Sequence, residues 1–259
     1  MFATLLKPLT SHKYLLLQLI QREIKARYKQ SIIGYFWVIL NPLAQMAIYT
    51  FVFSVVFRFP TEIPYPLFLF AALLPWTLFQ GVITSTTTSL VVNEVLLKKV
   101  AFPREIIPYS ALAAKLIDFV FASLIFITLM FWYGVSFSGY SLLFIPLFLI
   151  QLILMAGLSL LLSTFNLFYR DIQYMTSLVL MVWMYLTPVV YPLSLVPSEY
   201  IWLYKLNPMV GIIEGYRSVL FGFPLEQTII YWSLGISLTV FILGFLVFKK
   251  SEKVFADIV

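Results

Sequence analysis

Between Phe119 and Tyr169 the chain carries no Asp, Glu, Lys, Arg or His. A membrane helix needs roughly 20 apolar residues to cross about 30 Å of hydrocarbon, at ~1.5 Å per residue, and this run is more than twice as long. It therefore predicts two membrane helices, broken at Gly134-Val135-Ser136-Phe137-Ser138-Gly139-Tyr140. The whole chain follows suit: 62% of residues are apolar, 11% are charged and the mean hydropathy is +0.98. Soluble domains are nearer 45–50% apolar and about 25% charged, so a water-soluble globular fold is excluded.

Four more charge-free windows, Ile32–Phe57, Pro66–Asn93, Ile172–Tyr191 and Thr228–Phe248, complete the count. The expectation is an all-α membrane protein of six transmembrane helices at about residues 32–57, 66–92, 110–133, 141–165, 172–191 and 228–248. Residues 1–31 form an N-terminal segment, 93–109 a loop, 192–227 an irregular connection and 249–259 a tail. The alternation puts Lys7, Lys13, Arg22, Lys25, Arg27, Lys29, Lys98, Lys99, Arg104, Lys115, Arg170, Lys249, Lys250 and Lys253 on one face, against Arg58, Lys205 and Arg217 on the other. Positively charged loops stay in the cytoplasm, so both termini are expected there. The net charge of +6 is thereby read as topology, and no nucleic-acid partner is expected.

Residues 192–227 are apolar but interrupted by Pro192, Pro197, Glu199, Lys205, Pro208, Glu214, Arg217 and Pro224. A seventh crossing there would carry the basic tail outside and leave Glu214 and Arg217 at membrane depth. The segment is read instead as an external re-entrant helix pair between spans five and six, at about 198–206 and 209–221. It lies on the outer surface, or dips in and returns where protein shelters its backbone.

Before the first span, Leu16, Ile20, Ile24 and Tyr28 recur every four residues, with Gln18, Gln21, Arg22, Lys25 and Lys29 on the opposite arc. That is an amphipathic interface helix with a basic face. Two roles stay open for it: a membrane-surface anchor, or a contact from Arg22, Lys25, Arg27 or Lys29 to an anionic lipid-linked head group. Glu23 and Arg27 are spaced to pair. In the loop, Val95, Leu96, Val100 and Phe102 ask for burial, either in a partner protein or on the ends of the chain's own spans. Arg170 and Asp171 sit in a tight turn, where Asp171 suits the N-terminus of the fifth span. Lys115 and Asp118 can pair near the interface.

The 25 Phe, 16 Tyr and 6 Trp are chiefly interface belts and lipid-facing bulk. Tyr185, Tyr191, Tyr200, Trp202, Tyr204 and Tyr216 gather around the external segment, where amphipathic rings can stack on sugars. The absence of Cys and the single His12 exclude disulfides, thiolate metal sites and any two-histidine motif. No metal site is expected. There is no G-x-x-x-x-G-K-[ST], H-E-x-x-H or G-x-S-x-G, so catalysis by this chain is not expected. An ion-coupled transporter would need acids along its spans; this chain offers chiefly Asn41, Gln45, Gln80 and Asn166. A membrane glycosyltransferase or acyltransferase would need convergent His, Asp or Glu at one interface.

Four stretches carry a family resemblance. They are Arg22-Glu23-Ile24-Lys25-Ala26-Arg27-Tyr28-Lys29-Gln30-Ser31-Ile32-Ile33-Gly34 with Trp37 and Pro42; Leu74-Pro75-Trp76 with Phe79; Asn93 through Glu105; and Tyr169-Arg170-Asp171 followed by Thr187-Pro188-Val189-Val190-Tyr191-Pro192, Asn207-Pro208 and Tyr216-Arg217. In that order they resemble the membrane subunit of type 2 ABC exporters, in the polysaccharide and polyol-phosphate group that includes O-antigen, capsule and teichoic-acid permeases.

The resemblance implies a homodimer in a bacterial plasma (inner) membrane, docked to two copies of a cytoplasmic ABC ATPase and exporting a lipid-linked glycan. ATP and Mg would belong to the ATPase, with no cofactor in this chain. ATPase coupling maps to Lys98, Lys99, Val100, Phe102, Pro103, Arg104 and Glu105, on the expectation that Val100, Phe102, Pro103 and Arg104 have no apolar partner within the chain. Head-group contact maps to Arg22, Lys25, Arg27, Tyr28 and Lys29. The glycan pathway is expected at Trp37, Trp76, Tyr185, Tyr191, Trp202 and Tyr216, and structural roles at Arg170, Asp171, Glu214 and Arg217. A drug or lipid permease of the same class is the nearest rival reading, and an ion-coupled transporter a more distant one.

Overall fold

The computed structural model describes residues 12–28 and 34–258, with Arg27, Tyr28, Tyr35, Ala256 and Asp257 described by their backbone alone. Lys29, and the basic residue Lys7 before the first helix, lie outside the described residues. Among the described residues every regular element is helical. They are α1 (Lys13–Tyr28), α2 (Trp37–Thr50, continuing through a π-helical turn Phe51–Val56), α3 (Tyr65–Thr87), α4 (Ser89–Val92), α5 (Glu94–Lys99), α6 (Ile106–Trp132), α7 (Phe144–Phe168), α8 (Ile172–Tyr185), α9 (Ile201–Lys205), α10 (Pro208–Phe221), α11 (Gln227–Ser251) and α12 (Phe255–Ile258), with short 3-10 turns between them.

Five of these are long and apolar enough to cross a membrane: Trp37–Val56, Tyr65–Thr87, Ile106–Trp132, Ser141–Phe168 and Gln227–Val254. The expected fifth span is the exception. Its helix stops at Tyr185 after 14 residues, about 21 Å at 1.5 Å per residue, and not at residue 191. The cause is Pro188, which removes a donor and pushes the preceding residue out of helical geometry. The second span also breaks early, at Thr88. There Thr86, Thr87 and Ser89 turn their hydroxyls back onto the carbonyls of Val82, Ile83 and Thr86 and compete with the helical ladder. The third span begins at Ile106 and not at residue 110, so the end of the expected loop is helix.

α3 is the central element. Leu67, Leu69, Phe70, Leu73, Trp76, Phe79 and Val82 are all at most 1% exposed, with α6, α7, α8 and α10 packed around them. α2 is its opposite, with no buried residue from Trp37 to Thr50. α7 and α11 pack closely because both carry glycine at the crossing. A Cβ on Gly157 would lie 2.5 Å from Phe241 Cα, and one on Gly244 would collide with the Gly157 carbonyl. Small residues let membrane helices approach backbone to backbone.

A second, smaller core closes the basic end. Leu19 of α1, Leu90 of α4, Leu97 of α5, Ile106 and Ile107 of α6, Leu160 and Leu167 of α7, Phe248 of α11 and Phe255 of α12 form one cluster. The first and last described helices thus meet at the same end of the bundle. At the other end the two expected external helices behave differently. α9 is exposed, whereas α10 is buried almost throughout between α3, α7 and α11, so it is part of the core and not a surface helix.

Substituting Gly244 with leucine should lower the thermal midpoint of the detergent-solubilised protein, because overpacking a tight contact costs about 1–3 kcal/mol. Leucine at Gly235, whose Cβ would meet nothing within 4 Å, should leave it unchanged. A thermal-shift comparison of the two variants checks the assignment.

Candidate functional site

The unwound stretch after α8 exposes carbonyls that no helix satisfies, and three side chains converge on it. Arg217 of α10 is 1% exposed. Its guanidinium donates to the Pro188 carbonyl at 2.6 Å, the Val189 carbonyl at 2.8 Å, the Phe68 carbonyl at 3.3 Å and Glu214 at 2.7 Å, and lies 3.6 Å from the centroid of the Phe68 ring. Tyr65 donates to the Val190 carbonyl at 2.6 Å. Asn207 gives its amide to the Leu186 carbonyl and the Thr187 hydroxyl, and takes the indole N–H of Trp183 at 2.8 Å and the Met209 N–H at 3.1 Å. Asn207 is thus both the N-cap of α10 and a clasp on α8. An Asn directly before Pro is a helix-start signal, and it marks this residue, to which no site role had been assigned.

The expected structural pair Glu214–Arg217 is therefore present, but it faces inward. Arg170 and Asp171 are exposed, and Asp171, at the N-cap position of α8, makes no side-chain cap. Asn166 supplies the cap instead, its carbonyl oxygen accepting from the Gln173 N–H at 3.0 Å. The correction has a simple cause: Asn166 ends α7 beside the start of α8 and is buried there, whereas Asp171 turns to solvent.

The aromatic residues expected along a glycan path divide into two sets. Trp37, Tyr185 and Trp202 are exposed, at 41%, 62% and 60%. Tyr191 is half-buried, donating to the Tyr185 carbonyl and sharing a 2.8 Å hydrogen bond with Tyr204. Trp76 and Tyr216 are each 1% exposed, so they have no surface to offer a passing sugar. Tyr216 donates to Gln151, which in turn donates to the Pro75 carbonyl at 2.8 Å, tying α10 to α7 and α3. Both residues are core.

At the basic end α1 presents Gln18, Gln21, Arg22, Lys25 and Ala26 along one shallow depression, with Leu15, Leu16 and Leu19 turned to the smaller core. Arg22 hydrogen-bonds the Asn93 side chain and lies 3.7 Å from Glu23. Of the remaining head-group candidates, Arg27 and Tyr28 are described by backbone only, and Lys29 lies outside the described residues.

The coupling candidates also separate. Lys98, Lys99 and Val100 are exposed, as are Val92 at 70% and Val95 at 59%. Phe102 and Leu96 pack on the smaller core, and Pro103 is half-buried. Arg104 donates to the Leu97 carbonyl at 3.1 Å. Glu105 is 3% exposed and grips Lys249 at 2.9 and 3.0 Å. The expectation that Phe102 and Arg104 lack partners within the chain is thus corrected: α5 stands on a foot made of Leu96, Leu97, Phe102 and Arg104. The valines are what protrude from it.

Comparison with known proteins supplies the frame for these sites. The ABC-2 type transporter family pattern matches residues 14–221. The chain is 36% identical over 248 residues to an O-antigen export system permease protein RfbA of Klebsiella pneumoniae, covering 94% of each chain. It is 35% identical over 220 residues to the protein of that name from Myxococcus xanthus, covering 84% of each. It is 25% identical over 240 residues to the polysialic acid transport protein KpsM of Escherichia coli, covering 90% of this chain and 91% of that one.

Replacing Arg217 with methionine should destabilise the protein by about 3–5 kcal/mol, the usual loss when one member of a buried charged network is removed. The unwound 186–192 stretch should then become cleavable by protease. Arg217→Lys should recover only part of this, since an ammonium lacks the planar fork that reaches several carbonyls at once. Limited proteolysis of the three proteins in detergent reads the effect directly.

Proposed function

The chain belongs to the ABC-2 type transporter membrane family, and from that premise we propose that it is the permease subunit of an ATP-driven exporter of a lipid-linked polysaccharide. The observation that carries the reading is its 36% identity, over 94% of both chains, to a protein named for O-antigen export. The relative named for polysialic acid transport points to the same polymer class.

The protomer's construction supports a division of labour in which this subunit conducts and a separate ATPase drives. Its sequence holds no phosphate-binding P-loop. At the basic end, Val95, Lys98 and Lys99 project from α5, whose inner side is anchored, with Val92 at the end of α4 and Val100 just after α5 exposed beside them. Exposed apolar residues on a rigid mount, ringed by charge, are the makings of a protein-docking surface. In this reading the basic end, with both termini, is cytoplasmic and lies at the bacterial inner membrane. ATP and Mg are bound by two ATPase copies, one under each permease.

The packing supports a homodimer. The centre of the protomer is filled by α3, with side chains at most 1% exposed, so a polymer would pass along the protomer's surface and a second copy would close the path. Trp37, Tyr185, Tyr191 and Trp202 are the aromatics with surface to line it. The chain crosses six times in this account. The short α8 is completed by the unwound 186–192 stretch, and α9 and α10 form the external pair, with α10 sunk into the bundle. The basic face of α1, through Arg22 and Lys25, draws the phosphate of the substrate to the entrance.

Introducing aspartate at both Val95 and Val100 should weaken copurification with a co-expressed ABC ATPase partner by about tenfold or more, as loss of apolar anchors does at interfaces. Export should fall in parallel, with an unchanged thermal midpoint. Phe102→Ala, by contrast, should lower the midpoint itself. Undiminished ATPase binding and export in the double variant would discredit this docking face.

A further inference from the structure

A groove of about 270 Å³ opens between α2, α3 and α6, and its walls are unusually polar for their position. Asn41 and Gln45 come from α2, Thr77 from α3, and Lys115 and Asp118 from α6, with Trp37 at the end nearest the start of α2. Lys115 lies about 13.5 Å along α6 from Ile106, at 1.5 Å per residue, within a helix long and apolar enough to cross a membrane. Ionisable side chains within such helices are expensive and mark ligand or ion pathways by default.

The two charges form a loose pair, with Lys115 Nζ 3.9 Å from Asp118 Oδ2, and both side chains retain exposure, 25% and 22%. Gly81 faces the lysine: a Cβ there would make only ordinary contact with the Lys115 stem, at 3.5 Å. Pro42 contributes by what it lacks. Without an N–H it removes the helical donor of the Val38 carbonyl, and Val38 and Pro42 both line the groove. A lysine beside an aspartate, with no further ionisable residue lining the groove among those described, is a poor proton relay. Two amides, a carboxylate and a freed carbonyl beside an indole are instead the groups that recognise sugar hydroxyls and cover a sugar face, and an ammonium recognises phosphate.

We propose that this groove binds the phosphate-linked sugar of a lipid-carried saccharide. Lys115 takes the phosphate, Asn41, Gln45 and Asp118 take hydroxyls, and Trp37 covers the ring at the mouth. The assignment rests on the exporter reading and deepens it, since it places the recognised head group between helices of one protomer. α2 is the wall able to yield, because none of its residues from Trp37 to Thr50 is buried, whereas α3 is fixed in the core.

The test uses the full chain in phosphatidylcholine nanodiscs, without the ATPase, and three probes: a farnesyl-diphosphate-linked hexose, farnesyl diphosphate, and phosphatidylglycerol. The double variant Asn41→Leu/Gln45→Leu, which changes no charge, should raise the dissociation constant for the sugar-bearing probe about tenfold, the loss expected for two hydrogen bonds. It should leave farnesyl diphosphate within about twofold, inside the spread of a site that keeps its charge contact. Lys115→Gln should weaken both. If the unmodified protein binds the sugar-bearing probe and the double variant binds it equally well, the groove assignment fails while the exporter reading stands. Displacement by phosphatidylglycerol at equal concentration makes the groove a general anionic-lipid site and overturns the proposal. An unmodified protein that binds neither prenyl probe sinks the groove and counts against the exporter reading with it.

Discussion

Within hydrocarbon each backbone N–H and C=O must find a partner in the protein, since water is absent and an orphan costs several kcal/mol. The stretch after Tyr185 breaks that rule by leaving the helix, and the end of the structure away from the smaller core is arranged to repair it. Arg217, Tyr65 and Asn207 between them satisfy the carbonyls of Leu186, Pro188, Val189 and Val190. α10 has to be buried to deliver the arginine, and Asn207 has to precede Pro208 to both cap α10 and reach α8. The burial of α10, the short α8 and the buried cation are thus one solution to a single deficit of hydrogen bonds.

This also explains which parts of the fold were legible in the sequence. Runs without charge located the helices because a charge in hydrocarbon is costly, and that penalty acts locally. The end of α8 depended on Pro188, a local signal as well, but the charge-free window outran it. Arg217 was read as evidence against a seventh crossing. Its burial was not legible, because the carbonyls that receive the guanidinium belong to α3 and to residues 188–189, distant in sequence. Asp171 and Asn166 show the same limit: the nearer residue had the better cap chemistry, and the buried one makes the bond. Trp76 and Tyr216 look like any other aromatics until α3 is known to be the axis of the bundle.

The two cores divide the molecule functionally. Around α3 side chains interlock, and the glycine contact between α7 and α11 leaves no slack; interiors of that density move as bodies and do not deform continuously. α2 stands outside this block, carrying Pro42 within it and a π-helical turn at Phe51–Val56, two features that locally relax a helix. A polar groove bounded by one loosely held helix and two fixed ones can change width without disturbing the rest.

At the basic end, the question is where a load applied to α5 would go. Leu97 is buried in the same cluster as Leu19, Ile106, Leu167 and Phe248, and α5 packs directly on α4 and α12, so a tilt of α5 is passed into that cluster. The Arg104 bond to the Leu97 carbonyl closes the loop onto itself. Glu105, the residue before α6, is fastened to Lys249, which also holds Glu252 at 3.0 Å. Flexible loops dissipate force, and this one is braced by a core and a charged clamp. In the proposed exporter, motion of the ATPase therefore reaches the starts of α1 and α6, the helices that carry the basic face and the Lys115–Asp118 pair, before it reaches the packed centre.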